Sequence, residues 1–375
     1  MSDAPSAAVR RSSSPSDGTA VRTAVRIQID DPALQAYIQQ HPFLTGPDRE
    51  VNRRALQAVR ASVRVSESAR HVPIRALPAA ELALPERQER AACELLRAVG
   101  LTEAAVEHAR RDFGWRAAPV PPDASSILCL GSGAGEELAF LRARAPAARI
   151  VVLDYVAKLR PGLQAAVKAE FLQCDLVGEL GARDDLHDVV FSNHTLEHLF
   201  EPDRVLRLIA RRLREGGMLV AGLPLDGDAG TPFQGDVVRM ARGAARLHPL
   251  DLGVFDAGHP WKTNAADLGE TLEAAGFAEV AITQRADEPH RAFADTPHAR
   301  PGLPRPVLEA LYRGLFAPGR RMLRAMLGAR APHVVCRGFV AIERRVPFGA
   351  GRLKNGFAPD VVVRAIRRRN RDGGA

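Results

Sequence analysis

The run Ile127-Leu128-Cys129-Leu130-Gly131-Ser132-Gly133-Ala134-Gly135 constrains this chain more than any other stretch. An apolar strand passes directly into glycines at alternate positions and then into a helix. Glycine tolerates φ > 0, which so sharp a turn demands, and its missing Cβ lets a ligand approach the backbone. Residues 136–145 follow with apolar Leu138, Phe140 and Leu141, which predicts a helix whose free N-terminal N–H groups face the loop. A second apolar run, Ile150 to Leu153, ends at Asp154, an acid placed to accept hydrogen bonds from both ribose hydroxyls of a nucleoside.

Strand, glycine turn, helix and distal acid also occur in dinucleotide-binding proteins, so this pattern alone leaves the cofactor open. The dinucleotide fingerprint G-x-G-x-x-G/A puts its last small residue where this chain has Glu136. A carboxylate at the helix start opposes a pyrophosphate. It does not oppose a sulfonium with an amino-acid tail, so the site is expected to hold S-adenosylmethionine.

Strands and helices then alternate. Residues 170–175 read as a third strand ending in Asp175, and 188–193 as a fourth ending at Ser192-Asn193. A helix is expected over 202–214, with Val205, Leu206, Ile209 and Leu213 on one face and Gly216-Gly217 closing it. Residues 218–223 make a fifth strand. Such continuous apolar runs suit parallel strands covered on both faces by helices. Ligands in these sheets sit beyond the carboxyl ends of the strands, where Gly131, Asp154, Asp175 and Asn193 all fall.

Residues 128–137, 152–154 and 173–175, D-V-V-F-S-N-H-T-L-E-H at 188–198 and L-R-E-G-G-M-L at 213–219 together resemble class I S-adenosylmethionine-dependent methyltransferases, most of all their small-molecule branch. His259-Pro260-Trp261-Lys262-Thr263 and the helix ending Glu273-Ala274-Ala275-Gly276-Phe277 resemble the family's last helix and its approach. The resemblance implies an α/β fold with a Rossmann-like seven-stranded, mostly parallel sheet and an antiparallel last strand. To this the chain adds an N-terminal helical extension and a helical insertion. The closing hairpin is expected from strands at 279–283 and 334–343.

Carried over, the family pattern assigns Gly131, Ser132, Gly133 and Gly135 to the methionine and ribose side of the cofactor, and Asp154 to the ribose hydroxyls. Asp175 with Cys174 and Leu176 meets the adenine, while Asn193 and His194 lie beneath the sulfonium at the mouth of the acceptor site. One departure stands out: the family usually has Asp or Glu two residues before the first glycine, an acid that helps anchor the cofactor's ammonium group through water, and this chain has Cys129.

His194 is the candidate base, since an imidazole with a pKa of about 6.5 accepts protons near neutrality; a hydrogen-bonding role toward substrate is the alternative. His194, Glu197 and His198 stand close in sequence, but H-E-x-x-H is absent, so no metal is expected. Trp261 either packs or stacks on substrate. The place of a D/N-P-P-Y/F run reads S-N-H-T, which argues for a small-molecule methyl acceptor and against a nucleic-acid target. The atom methylated and the oligomeric state stay open. Two rival classes are a degenerate, non-catalytic methyltransferase fold and an NAD-dependent oxidoreductase.

At 375 residues and 46% hydrophobic composition the chain can bury one large core with additions. No apolar stretch is long enough to span a membrane, and the start is polar and Pro/Ser-rich, so a cytoplasmic enzyme is expected. Cys93, Cys129, Cys174 and Cys336 show no paired spacing; three fall in expected strands and should be buried thiols. The net charge of +8 is almost wholly arginine, the lysines being Lys158, Lys168, Lys262 and Lys354. The chain divides into a disordered tail (1–25), an N-terminal helical region (26–119), a methyltransferase domain (120–345, insertions at 224–262 and 286–332) and a basic C-terminal tail (346–375). Helices in the second are expected over 32–40, 47–65, 85–99 and 102–113.

Overall fold

The computed structural model describes residues 22–41, 44, 47–68, 70, 72–225, 257–285, 322, 326 and 360–369. The chain enters through β1 (Arg22–Ile27), α1 (Pro32–Gln40), α2 (Arg49–Ser62), β2 (Val63–Ser68), β3 (Ile74–Leu77) and α3 (Ala79–Leu82). Helices α4 (Glu86–Ala98) and α5 (Glu103–Ala117) lead into the alternation β4 (Ser126–Leu130), α6 (Glu136–Arg144), β5 (Arg149–Asp154), α7 (Pro161–Val167), β6 (Ala169–Gln173), α8 (Leu176–Ala182), β7 (His187–Asn193), α9 (Pro202–Arg212) and β8 (Leu213–Pro224). A 3-10 turn, Leu196–His198, lies between β7 and α9. Then come β9 (Trp261–Lys262), α10 (Ala265–Ala274), β10 (Phe277–Arg285) and β11 (Asp360–Arg367).

The larger sheet has the order β3-β10-β11-β8-β7-β4-β5-β6. Every neighbouring pair is parallel except those made by β11, which runs antiparallel to both β10 and β8. The expected mostly parallel sheet with one antiparallel strand is therefore present, widened to eight strands by β3 at its edge.

Alternation along each strand separates the two faces of the core. Ile127, Cys129, Ile150, Val152, Val189 and Phe191 point to one side and pack with buried residues of α4, α5, α6 and α7. Leu128, Leu130, Val151, Leu153, Val190 and Leu219 point to the other and pack with α8, α9 and α10. Both faces are covered, so the strands carry no polar alternation and read as unbroken apolar runs. Helix α9 shows how the sequence produces one layer. Pro202 opens it, Val205, Leu206 and Ile209 are fully buried on one stripe, and Arg211 and Arg212 fall in the last turn, where positive charge suits the helix dipole. Burying each of those three side chains contributes about 1.5–3 kcal/mol.

Several expectations are corrected. The antiparallel strand comes from Asp360–Arg367, so the far C-terminal segment is not simply a basic tail: Val361, Val362, Val363 and Ala365 are buried, and exposed Arg364 sits among them. The strand expected over 334–343 lies outside the described residues. The tail over 1–25 gives way at residue 22 to β1, which pairs with β2 and β9 in a separate three-stranded sheet. Residues 26–119 are accordingly not wholly helical. Helix α2 stops at Ser62 because the alternating Val63-Arg64-Val65 favours an extended chain, which forms β2. Helices α4 and α5 join the layer over the sheet instead of forming a separate unit. The Gly216-Gly217 pair lies inside β8, near an irregularity in its pairing with β7, and α9 ends before it at Arg212. Cys174 follows β6 and is only half-buried; Cys93 and Cys129 are buried free thiols, and Cys336 lies outside the described residues. Most of the insertions at 224–262 and 286–332 also lies outside. No helix among the described residues is long and apolar enough to cross a membrane.

Candidate active site

The glycine loop joins β4 to α6, and all three of its expected glycines have positive φ: 71° at Gly131, 54° at Gly133 and 93° at Gly135. Their reasons differ. A Cβ on Gly131 would lie 2.2 Å from Thr195 Oγ1, and one on Gly135 would lie 2.2 Å from Leu159 Cδ1, so both admit close packing. A Cβ on Gly133 would meet none of the described residues within 4 Å, so among them this glycine of the loop faces open space. Thr195 Oγ1 lies 3.1–3.3 Å from the carbonyls of Leu130, Gly131 and Asn193, tying the ends of β4 and β7 together. Glu136, first residue of α6, pairs with Arg160 at 3.4 Å.

Asp154 ends β5 beside this loop. Its Oδ2 accepts from the Gly133 N–H at 2.9 Å and its Oδ1 from the Val156 N–H at 2.9 Å. Each carboxylate oxygen keeps a further lone pair. The next residues, Tyr155 and Val156, are large exposed hydrophobics, as is Leu172 near the end of β6. Apolar surface thus borders the acid on the side expected to meet the adenine. Asp175 caps α8, with Oδ2 accepting from the Gly178 N–H at 2.7 Å; Leu176 is buried, and the Cys174 N–H donates to the Asp154 carbonyl at 2.9 Å.

Ser132 and Asn193 are both buried, and among the described residues Ser132 Oγ and Asn193 Oδ1 have no hydrogen-bond partner. Buried polar atoms are normally satisfied. Two orphans at the carboxyl ends of β4 and β7, with open space at Gly133, fit a polar ligand, and the residues suit the nucleoside and amino-acid ends of S-adenosylmethionine.

His194 follows β7 with φ 49°, a left-handed conformation that costs energy in a non-glycine residue. Its N–H donates to the Gly222 carbonyl at 2.8 Å. Its Nδ1 lies 3.0 Å from Glu197 Oε1, and its Nε2 lies 3.5 Å from Asp360 Oδ1 and 3.1 Å from an Arg116 nitrogen. Arg116, buried at the end of α5, donates to Asp360 Oδ2 at 2.5 Å. Burial opposes charge on the imidazole and Arg116 adds to that opposition. The carboxylates of Asp360 and Glu197 outweigh both and raise the His194 pKa to about 10. The two carboxylates favour the charged ring, whereas the Arg116 contact at Nε2 favours a ring that accepts there.

The expected neighbours of His194 separate in space. Glu197 bonds to His194, and although its burial opposes ionisation, the hydrogen bond and charge of His194 keep its pKa below the ordinary value. His198 turns away: its Nδ1 meets the Gly258 carbonyl at 2.7 Å, its ring packs edge-on against His259, and burial lowers its pKa. Glu197, His198 and His259 bring one potential ligand atom each within 4.8 Å of the others, a spacing a metal ion can span. Trp261 is 1% exposed and donates to Asp267 at 2.9 Å, which assigns it to packing. Arg116 and Asp360 were missed by sequence reasoning, for neither lies in a recognisable motif, whereas Glu137 lies within the 128–137 run and was not singled out there.

Residues 128–221 match the family described as a methyltransferase domain. Among curated relatives, the chain is 35% identical over 107 residues to a trans-aconitate 2-methyltransferase from Azoarcus sp., covering 28% of this chain and 42% of that one. It is 31% identical over 106 residues to a trans-aconitate 2-methyltransferase from Deinococcus radiodurans, covering 28% and 40%. The chain thus spans about two-fifths of the length of the curated relatives it matches. A solved SAM-dependent methyltransferase from Archaeoglobus fulgidus overlaps 73% of this chain and 98% of its own, with 16% identity and a TM-score of 0.39. The matched segment spans β4 to β8 and includes the glycine loop, Asp154, Asp175, Asn193 and His194, and this part of the chain therefore matches a methyltransferase domain.

Proposed function

We propose that this protein is a methyltransferase acting on a small-molecule acceptor in the cytoplasm, with Gly131, Ser132, Gly133, Gly135, Asp154, Cys174, Asp175, Leu176 and Asn193 holding the cofactor. The observation that carries this reading is the coupling of loop and acid: the open-faced Gly133 donates its N–H to Asp154 at 2.9 Å. That contact sets the carboxylate beside the space where ribose hydroxyls would donate to it. S-adenosylmethionine supplies an electrophilic methyl group on its sulfonium. The chain's part is to hold acceptor and methyl in line, since positioning accounts for much of such a displacement.

With Nδ1 turned to Glu197 and Nε2 to Asp360 and Arg116, the His194 ring of raised pKa offers positive charge near the acceptor space and not a free proton acceptor. It suits an acceptor that is already ionised near neutrality, and a carboxylate is one. The trans-aconitate named for both curated relatives supports the same acceptor class. The three free thiols among the described residues agree with a reducing compartment.

Calorimetric titration with S-adenosylhomocysteine, with NAD for comparison, tests the cofactor. Binding of the former at about micromolar Kd (about −8 kcal/mol) with none of the latter is expected. Failure of both ligands to bind would favour a degenerate scaffold.

The role of His194 has its own test in a pH–rate profile. With its pKa raised to about 10, the His194 ring holds its charge from pH 6 to 8.5 and loses it as the pH climbs towards 10, so kcat/KM for the acceptor, measured at saturating cofactor, is expected to be level and then to fall. A rate that rises between pH 7 and 10 would instead identify a base. The sign for stability is the same: the contribution of this group is complete below its unfolded pKa of about 6.5 and fades as the pH passes to about 10.

A further inference from the structure

Glu137 lies in the first turn of α6, is 4% exposed, and belongs to no ion pair among the described residues. A carboxyl in such a place is retained at a cost unless a counter-charge meets it. Its surroundings are specific. Cys129 Sγ donates to its Oε1 at 3.3 Å from β4, and Asn193 Nδ2 lies 3.5 Å from its Oε2 at the end of β7. Cys129 is the position where the resembled family usually carries an acid, and Asn193 is the residue with an orphaned Oδ1. The acid absent from the strand thus has a substitute eight residues on, reaching back from the helix to the same place.

We propose that Glu137 supplies the carboxylate that meets the ammonium group of the cofactor's amino-acid end, replacing an acid at position 129. This rests on the cofactor reading above. The nearby cations are otherwise engaged: Arg116 is bound to Asp360, and His194 lies between Glu197 and Asp360. Glu137 is therefore the buried acid left to balance an incoming positive charge.

Proton linkage follows. Burial raises the Glu137 pKa to about 8, while hydrogen bonds from Cys129 and Asn193 and the charges of Arg116 and His194 pull the other way. Burial, together with Glu137 and Asp154, raises the pKa of the Cys129 thiol, which stays protonated as a donor. Near pH 7 the Glu137 carboxyl mostly holds its proton. An ammonium ligand displaces that proton to the buffer and leaves carboxylate facing ammonium.

The test is calorimetry with two ligands, S-adenosylhomocysteine and 5′-methylthioadenosine, which keeps the nucleoside and sulfur but lacks the amino acid. Glu137→Gln is expected to weaken S-adenosylhomocysteine by about tenfold or more, the size expected of a lost charge-assisted contact, and to leave 5′-methylthioadenosine within about threefold. The double change Cys129→Asp with Glu137→Ser is expected to recover most of the lost affinity. In the unaltered protein at pH 7, enthalpies in buffers of different ionisation heat should report release of on the order of one proton with S-adenosylhomocysteine and none with 5′-methylthioadenosine. This last measurement does not depend on any variant folding. Equal weakening of both ligands, no weakening of either, or absence of proton release would overturn the assignment. If the unaltered protein binds neither ligand, it is the cofactor reading that fails.

Discussion

Replacing Asp154 with alanine is expected to weaken S-adenosylhomocysteine binding by about 10²–10⁴-fold, because two hydrogen bonds to a charged acceptor at about 1.5–3 kcal/mol each would be lost together. The carboxylate already holds the loop through the Gly133 N–H and its own turn through the Val156 N–H. Its removal leaves those two donors without their partner as well as the ribose hydroxyls. Asp154→Asn separates the two losses, since an amide still offers one oxygen acceptor but carries no charge. It should fall between the alanine variant and the unaltered protein. Binding by Asp154→Ala within about twofold of the unaltered protein, well under 1 kcal/mol, would remove Asp154 from the nucleoside site.

The second large effect concerns stability. Asp267→Ala is expected to cost about 3–5 kcal/mol, the usual penalty for removing one partner of a buried charged network, and to lower Tm by about 5–10 °C. Asp267 is buried at the start of α10 and accepts from Trp261 Nε1 at 2.9 Å, Thr263 Oγ1 at 2.8 Å and Arg26 at 3.0 Å. Arg26 also reaches Asp203 on α9 and Thr271 on α10. One carboxylate therefore joins β1, β9 and α10, fastening the small sheet to the large domain. By contrast Arg53–Glu50, with both side chains more than 60% exposed, is screened by solvent and adds little. Thermal and urea unfolding measure the difference. A Tm within about 1 °C of the unaltered protein, equivalent to a fraction of a kcal/mol, would show that the network is replaceable.

The parts of the fold that were legible share a cause. Strands β4 to β8 are covered on both faces, so their apolar runs are unbroken and hard to misread. In β11, Val361-Val362-Val363 is an equally apolar run, but exposed Arg364 interrupts it and Arg367, Arg368 and Arg369 follow closely, so charge concealed the strand. Strand β1 was hidden by alternation of Val25 and Ile27 with Arg26, whose head group is used internally. The site divides in the same way. The glycines and Asp154 belong to consecutive elements and can be found from spacing. Arg116 and Asp360 are separated by 244 positions and have no local signature, so only the folded sheet brings them to His194. Their absence from the sequence pattern is why His194 read as a base with an ordinary pKa. Placed between two carboxylates, it has a raised pKa.

Strand β11 also sets an order of events during synthesis. A ribosome that has extended the chain through Arg285 has delivered seven strands of the large sheet, and in the finished sheet β8 and β10 stand two strand spacings apart, roughly 10 Å, a slot that only β11 fills among the described residues. Both borders of that slot are rows of unsatisfied backbone groups, open to mispairing with another nascent chain until Asp360–Arg367 arrives. Asp360 arrives with the strand, so His194 gains this counter-ion only at that step. Completion of the sheet and completion of the charged cluster are one event, which keeps the centre unassembled for as long as the polypeptide is still being extended towards residue 360.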